Sequence, residues 1–189
     1  MQRSAHSPDN GYNSQQVERL IFKRGMFFGL ILVGLDLMVT ILARLTSFPV
    51  HLMTSLMNVI YFPWSMVNFI TNAAIYLPVL CIAGFIYFYA GYIIARHSGG
   101  NIRASALTGL LAGLVLGICD LVVSAVILFA ETLPSITQSY GSASPTLLDA
   151  VKFTTIRDTF LYTFGFLVLA LLLGAGLAAM GGLRGRPNP

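Results

Sequence analysis

The sequence predicts an all-α, polytopic integral membrane protein with four transmembrane helices arranged as two tandem helical hairpins. Three observations predict it. The composition is 56% hydrophobic and only 10% charged, with a mean hydropathy of +0.79, whereas a soluble domain carries about a quarter charged residues. Four apolar runs, at about 26–45, 73–95, 106–130 and 160–180, each reach the ~20 helical residues that cross a ~30 Å hydrocarbon core. The first and third runs also hold nearly the same block: Gly-Leu-Ile-Leu-Val-Gly-Leu-Asp-Leu-Met-Val-Thr at 29–40 and Gly-Leu-Val-Leu-Gly-Ile-Cys-Asp-Leu-Val-Val-Ser at 113–124. Six of the twelve positions are identical, at an offset of 84 residues.

Residues 1–12 form a polar tail rich in Ser, Pro, Asp, Asn and Gly, too poor in apolar side chains to fold on its own. Asn13 and Ser14 are good helix N-caps. The first hairpin accordingly occupies 13–96 and starts as a helix that enters the first span. Met1 to Gln16 is polar and the run that follows exceeds a signal-peptide core, so the first span reads as a permanent helix. A first outer connection, 47–62, is apolar and Met-rich. Pro63 suits the first position of the next helix, and Tyr61, Phe62 and Trp64 suit an interfacial aromatic belt. Pro78 predicts a kink in the second span or the end of its outer extension.

The turn 97–105 carries Gly99 and Gly100, as expected of a tight helix–helix connection. The second hairpin, 106–180, contains a polar outer connection over 131–144, after which Pro145 opens the last helix. A tail over 181–189 ends in Arg-Pro-Asn-Pro, which stops helix.

Charge orients the chain. With the N-terminus inside, Arg3, Arg19, Lys23, Arg24, Arg96, Arg103, Arg184 and Arg186 lie on the cytoplasmic side, leaving Arg44, Lys152 and Arg157 outside. The positive-inside rule then places both termini in the cytoplasm, and the expected location is a cell membrane of the bacterial inner-membrane type. The flanking basic residues point to the lipid bilayer as a partner. No basic stripe marks a nucleic-acid partner.

The repeat extends beyond the Asp-containing block. At the same offset Gly25 matches Gly109, Arg19 matches Arg103, and 67–71 matches 151–155. An even number of spans separates the copies, so the two hairpins enter the membrane in the same direction, as a parallel repeat about an axis along the membrane normal.

The functional candidates are the polar groups inside the spans. A carboxylate in hydrocarbon costs about 2.5–3.5 kcal/mol on insertion scales, so a matched pair of acids requires an explanation. Gly25, Gly29, Asp36 and Thr40 form one helical stripe, and Gly109, Gly113, Gly117, Asp120 and Ser124 form its equivalent. One reading is structural: spans one and three cross along these glycines, whose small size allows close backbone approach, and bury the acids against hydroxyl groups. The other is functional: Asp36 and Asp120, with Thr40 and Ser124, line a polar path that carries protons or a cation.

The remaining motifs are negative. His6, His51 and His97 all fall outside the span centres, which argues against axial ligation of an intramembrane haem. Cys81 and Cys119 form neither a CxxC pair nor a metal-ligand cluster. Phe85, Tyr89 and Tyr92 share a face that suits a neighbouring helix, lipid or a flat ligand. No hydrolase, metalloprotease, phosphate-loop or dinucleotide motif is present. The expectation is therefore a non-catalytic protein with no catalytic residues, metal or cofactor. It would be foremost an accessory or scaffold subunit held among other membrane proteins or in a homo-oligomer. The alternative is a small proton- or cation-coupled transporter using Asp36 and Asp120.

Overall fold

In the computed structural model the described residues are 14–46, 64–141 and 144–186, with side chains undescribed at Ser14, Arg44 and 64–78. The N-terminal tail, the whole apolar first connection (47–62) and Pro63 lie outside them. The expectations for Pro63 and for the Tyr61, Phe62 and Trp64 belt therefore fall outside the described residues and side chains. The described chain is all helical: α1 (Ser14–Leu45), α2 (Trp64–His97), α3 (Ile102–Ile127), a π-helical turn (Leu128–Thr132), a short α4 (Leu133–Ser139) and α5 (Pro145–Arg184). Four helices are long and apolar enough to cross a membrane. At 1.5 Å per residue, the 40 residues of α5 extend about 60 Å, twice the hydrocarbon thickness.

These helices are apolar on nearly every side, so polarity cannot decide which face turns inward. Small side chains take much of the interior, beside larger ones such as Leu32, Tyr87 and Leu116. Ala83, Ala90, Ala95, Ala104, Ala112 and Ala178 are buried, whereas Phe27, Phe85, Phe164 and Leu172 point outward. Between apolar helices in lipid the hydrophobic effect supplies little association energy, and close van der Waals packing of small residues takes its place.

The most extensive crossing joins α3 to α5. A Cβ on Gly113 would meet the Ala170 carbonyl, with its carbon at 2.8 Å, and one on Gly117 would lie 3.0 Å from the Leu167 Cα. A second crossing joins α2 to α5, where Gly91 meets the Ala178 backbone and Gly181 meets that of Phe88. Against α1 the fit is of knob into hole: Gly25 receives the Leu111 side chain and Gly29 that of Val115. Ser105, fully buried, ties α3 to α2 by donating from Oγ to the Gly91 carbonyl at 2.9 Å.

The glycine stripes therefore do not both lie in one crossing of spans one and three. The α1 glycines do face α3, but Gly109, Gly113 and Gly117 of α3 turn to α5. The reason lies in the partner surface. Ala170, Gly174 and Ala178 give α5 a face of small residues, while the positions 84 residues earlier on α2 are Ile86, Ala90 and Ile94. Of these two faces, that of α5 is the one that receives Gly109, Gly113 and Gly117 of α3.

The α2–α3 turn is compact. Gly99 and Gly100 take φ values of 64° and 85°, a left-handed conformation that costs an L side chain about 1 kcal/mol or more. Gly100 N–H bonds back to the Ala95 carbonyl at 2.8 Å, and Asn101 caps α3 by accepting from the Ala104 N–H. At the other end, the stretch expected as a polar connection stays helical to Ser139. Pro134 lacks an N–H, and the helix accommodates it by widening into the π turn, where Leu133 N–H reaches the Leu128 carbonyl. Pro145 does open α5, and α2 remains helical through Pro78.

Candidate functional site: an acid-lined cleft between the four long helices

The small residues of α3 stop at Gly117. Toward the Ile127 end the next residues on that face are Asp120 and Ser124, and there the bundle opens. A cavity of about 470 Å³ lies between all four long helices, within the usual range for small-molecule sites. Helix α1 contributes Leu32, Leu35, Asp36 and Thr40; α2 contributes Val79, Leu80, Ala83 and Tyr87; α3 contributes Leu116, Asp120 and Ser124. Tyr162, Thr163, Phe166, Leu169, Ala170 and Leu173 of α5 complete the wall.

All four intramembrane polar candidates read from the sequence thus meet at one cleft. The helix-packing candidates lie deeper, nearer the α2–α3 turn, where they hold the helices together. Four pairs of lining residues stand 84 positions apart: Leu32 and Leu116, Asp36 and Asp120, Thr40 and Ser124, Val79 and Thr163.

Asp36 and Asp120 are both half-buried and line the same cavity. Neither makes a hydrogen bond or ion pair with another described residue. Among the described residues no Lys, Arg or His lines the cleft. The nearby Arg157 is exposed and bonded to its neighbour Asp158, with Nε donating to Oδ1 at 2.9 Å. Among the described residues no three His, Cys, Asp or Glu side chains converge as a metal site.

Tyr87 completes the polar set, and the sequence reading passed over it. Its residue is 3% exposed, and its buried hydroxyl has no partner among the described residues. Leaving a buried hydroxyl unpaired costs about 1–3 kcal/mol. Gly174 makes room for the ring, since a Cβ there would lie 3.1 Å from Tyr87 Cε1. The aromatic face singled out by spacing points elsewhere: Phe85 and Tyr89 stack on the bundle exterior, and Arg96 lies 5.0 Å over the Tyr92 ring near the α2–α3 turn. The signal for Tyr87 was the helical series Ala83, Tyr87, Ala90 and Ile94, which places a phenol on a face otherwise made of small or aliphatic residues.

Among the described residues the other buried hydroxyl without a partner is that of Ser98, in the α2–α3 turn; others are satisfied. Thr108 donates to the Ala104 carbonyl at 2.8 Å, and Thr163, on the cleft wall, to that of Thr159. At the cleft, the polar groups without a partner among the described residues are the two acids and Tyr87.

No family model, no curated protein and no solved structure matches this chain. The functional reading rests on the cleft itself. It can accept hydrogen bonds and positive charge at two carboxyls, donate from a phenol, and surround an apolar body with aliphatic and aromatic side chains.

Proposed function

We propose that this protein is a small membrane carrier that binds a proton or cation at Asp36 and Asp120, with both termini cytoplasmic. One observation carries the reading: two acids from corresponding positions of two hairpins meet, unpaired, in a cleft lined by every long helix. A purely packing role predicts acids sealed against hydroxyl donors, whereas here they border open volume. Ionisable groups inside a membrane cost free energy that a transport role explains, and a site between repeated halves suits alternating exposure to the two sides. Thr40 and Ser124 supply neutral oxygens beside each acid. The reading requires no catalytic residue, bound metal or cofactor.

Reconstitution into vesicles tests it. With a pH gradient imposed, the wild-type chain should carry protons or exchange them for cations, and Asp36→Asn and Asp120→Asn should each abolish that flux while leaving the helical content unchanged. Flux that persists in both variants would refute the role of the acids.

A second reading, an accessory subunit or homo-oligomer, draws on α5. This helix begins about four turns before its apolar span, and Leu147 and Phe153 are 50% and 66% exposed on that projection. Exposed apolar residues outside the bilayer favour a covering partner. Intact-mass measurement after purification from native membranes in mild detergent distinguishes the two, because a subunit co-purifies stoichiometrically with other chains.

A further inference from the structure

We infer that the ligand of the cleft is a monovalent organic cation with an apolar body, taken up in exchange for a proton. The inference rests on the carrier reading above and names its substrate class.

Three features of the cleft decide the class. Its charge disfavours anions, because two carboxyls and, among the described residues, no basic side chain line it. Its size and walls disfavour a bare inorganic ion. Calcium or magnesium takes six or more oxygen ligands at about 2–2.6 Å, whereas this cavity of about 470 Å³ spreads a few oxygens over walls of Leu, Val, Ala and Phe. A body that fills the volume must bury carbon against carbon, with one cationic centre near the acids. Third, Tyr87 lines the cleft, and its buried hydroxyl has no partner among the described residues. It is a polar group left for a ligand or for a carboxyl that rearranges on binding. The Tyr87 and Phe166 rings add faces that attract a cation.

The groups that titrate or carry charge around the site are Asp36 from α1, Tyr87 from α2, Asp120 from α3 and Tyr162 from α5. With both acids protonated the cleft is neutral. Entry of one monovalent cation restores neutrality when one proton leaves, so the step exchanges one charge for one charge and forms no covalent bond. The apolar rim of Leu80 and Leu169, exposed beside Tyr162, suits entry by a molecule already partitioned into the bilayer.

Tetraphenylphosphonium binding to the purified full chain in nonionic detergent, measured by equilibrium dialysis, tests the inference. Tetraphenylborate, of the same shape and opposite charge, serves as control. The expected result is saturable binding of one phosphonium per chain that weakens as pH falls, with no comparable binding of the borate. Asp36→Asn and Asp120→Asn should each weaken binding at least tenfold, and Tyr87→Phe several-fold, with helical circular dichroism unchanged. Equal binding of both probes would overturn the inference and identify a site for lipid chains. Unchanged affinity in both Asp variants would overturn it equally.

Labelling of the two acids by dicyclohexylcarbodiimide separates this failure from failure of the carrier reading. Protection by tetraphenylphosphonium supports the organic cation. Protection by sodium or potassium alone overturns the organic class and leaves the carrier reading in place. Labelling that no cation changes removes both.

Discussion

Replacing Gly109 by alanine probes the crossing that holds the cleft open on one side and closed on the other. The new Cβ would lie 2.7 Å from the Gly174 carbonyl carbon and 2.5 Å from the Ala178 Cβ. Ordinary contact begins near 3.4 Å, so α3 and α5 must separate by at least about 0.9 Å. Neither obstacle is the end of a flexible side chain. Overpacking of this kind costs about 1–3 kcal/mol, and better helix propensity returns at most about 1 kcal/mol. The net expectation is a loss of about 1–2 kcal/mol. Gly176→Ala provides the control, because nothing lies within 4 Å of a Cβ there and the propensity gain stands alone. Unfolding in mixed micelles titrated with a denaturing detergent reads the difference. The displacement should also reach the cleft, since Asp120 lies about 16 Å farther along the same helix, and ligand affinity should fall with stability. If Gly109→Ala matched Gly176→Ala within about 0.5 kcal/mol, a margin typical of independent surface changes, the close approach of α3 to α5 would be refuted.

Two further outcomes follow from the same packing. Tyr87→Phe should raise stability by about 1 kcal/mol in the same titration, because it removes an unpaired buried hydroxyl, even as it weakens binding in the cleft; a loss of stability would show that the hydroxyl has a partner in the folded protein. Ser105→Ala should cost about 0.6–1 kcal/mol, the usual worth of an interhelical hydrogen bond in a membrane, and more than Thr108→Ala, whose hydroxyl bonds only within its own helix.

The four apolar helices were legible because length and composition alone separate a membrane-crossing segment from a soluble one. The acids were legible as a pair because the sequence around Asp36 is repeated around Asp120. The sequence did not reveal which neighbour each glycine stripe would meet. A helix that is apolar all round carries no polar face to orient it, and the decisive feature was the small residues at Ala170, Gly174 and Ala178 on a different helix. Tyr87 was obscured for a related reason. It sits in a run of aromatic residues whose outward members, Phe85 and Tyr89, show a more regular spacing. The π turn was hidden because Glu131, Thr132 and Pro134 read as a connection, although a widened helix absorbs the missing N–H of Pro134.

The central claim is that Asp36 and Asp120 face one cleft, and thiol cross-linking tests it most directly. In a background of Cys81→Ser and Cys119→Ser, the pair Asp36→Cys and Asp120→Cys should be joined in intact membranes by a short bifunctional thiol reagent. The pair Met38→Cys and Val122→Cys, at the corresponding outward positions that are 55% and 54% exposed, should not be joined within one chain. Cross-linking of the first pair alone is the predicted result. Efficient joining of the outward pair, with none between positions 36 and 120, would contradict the account.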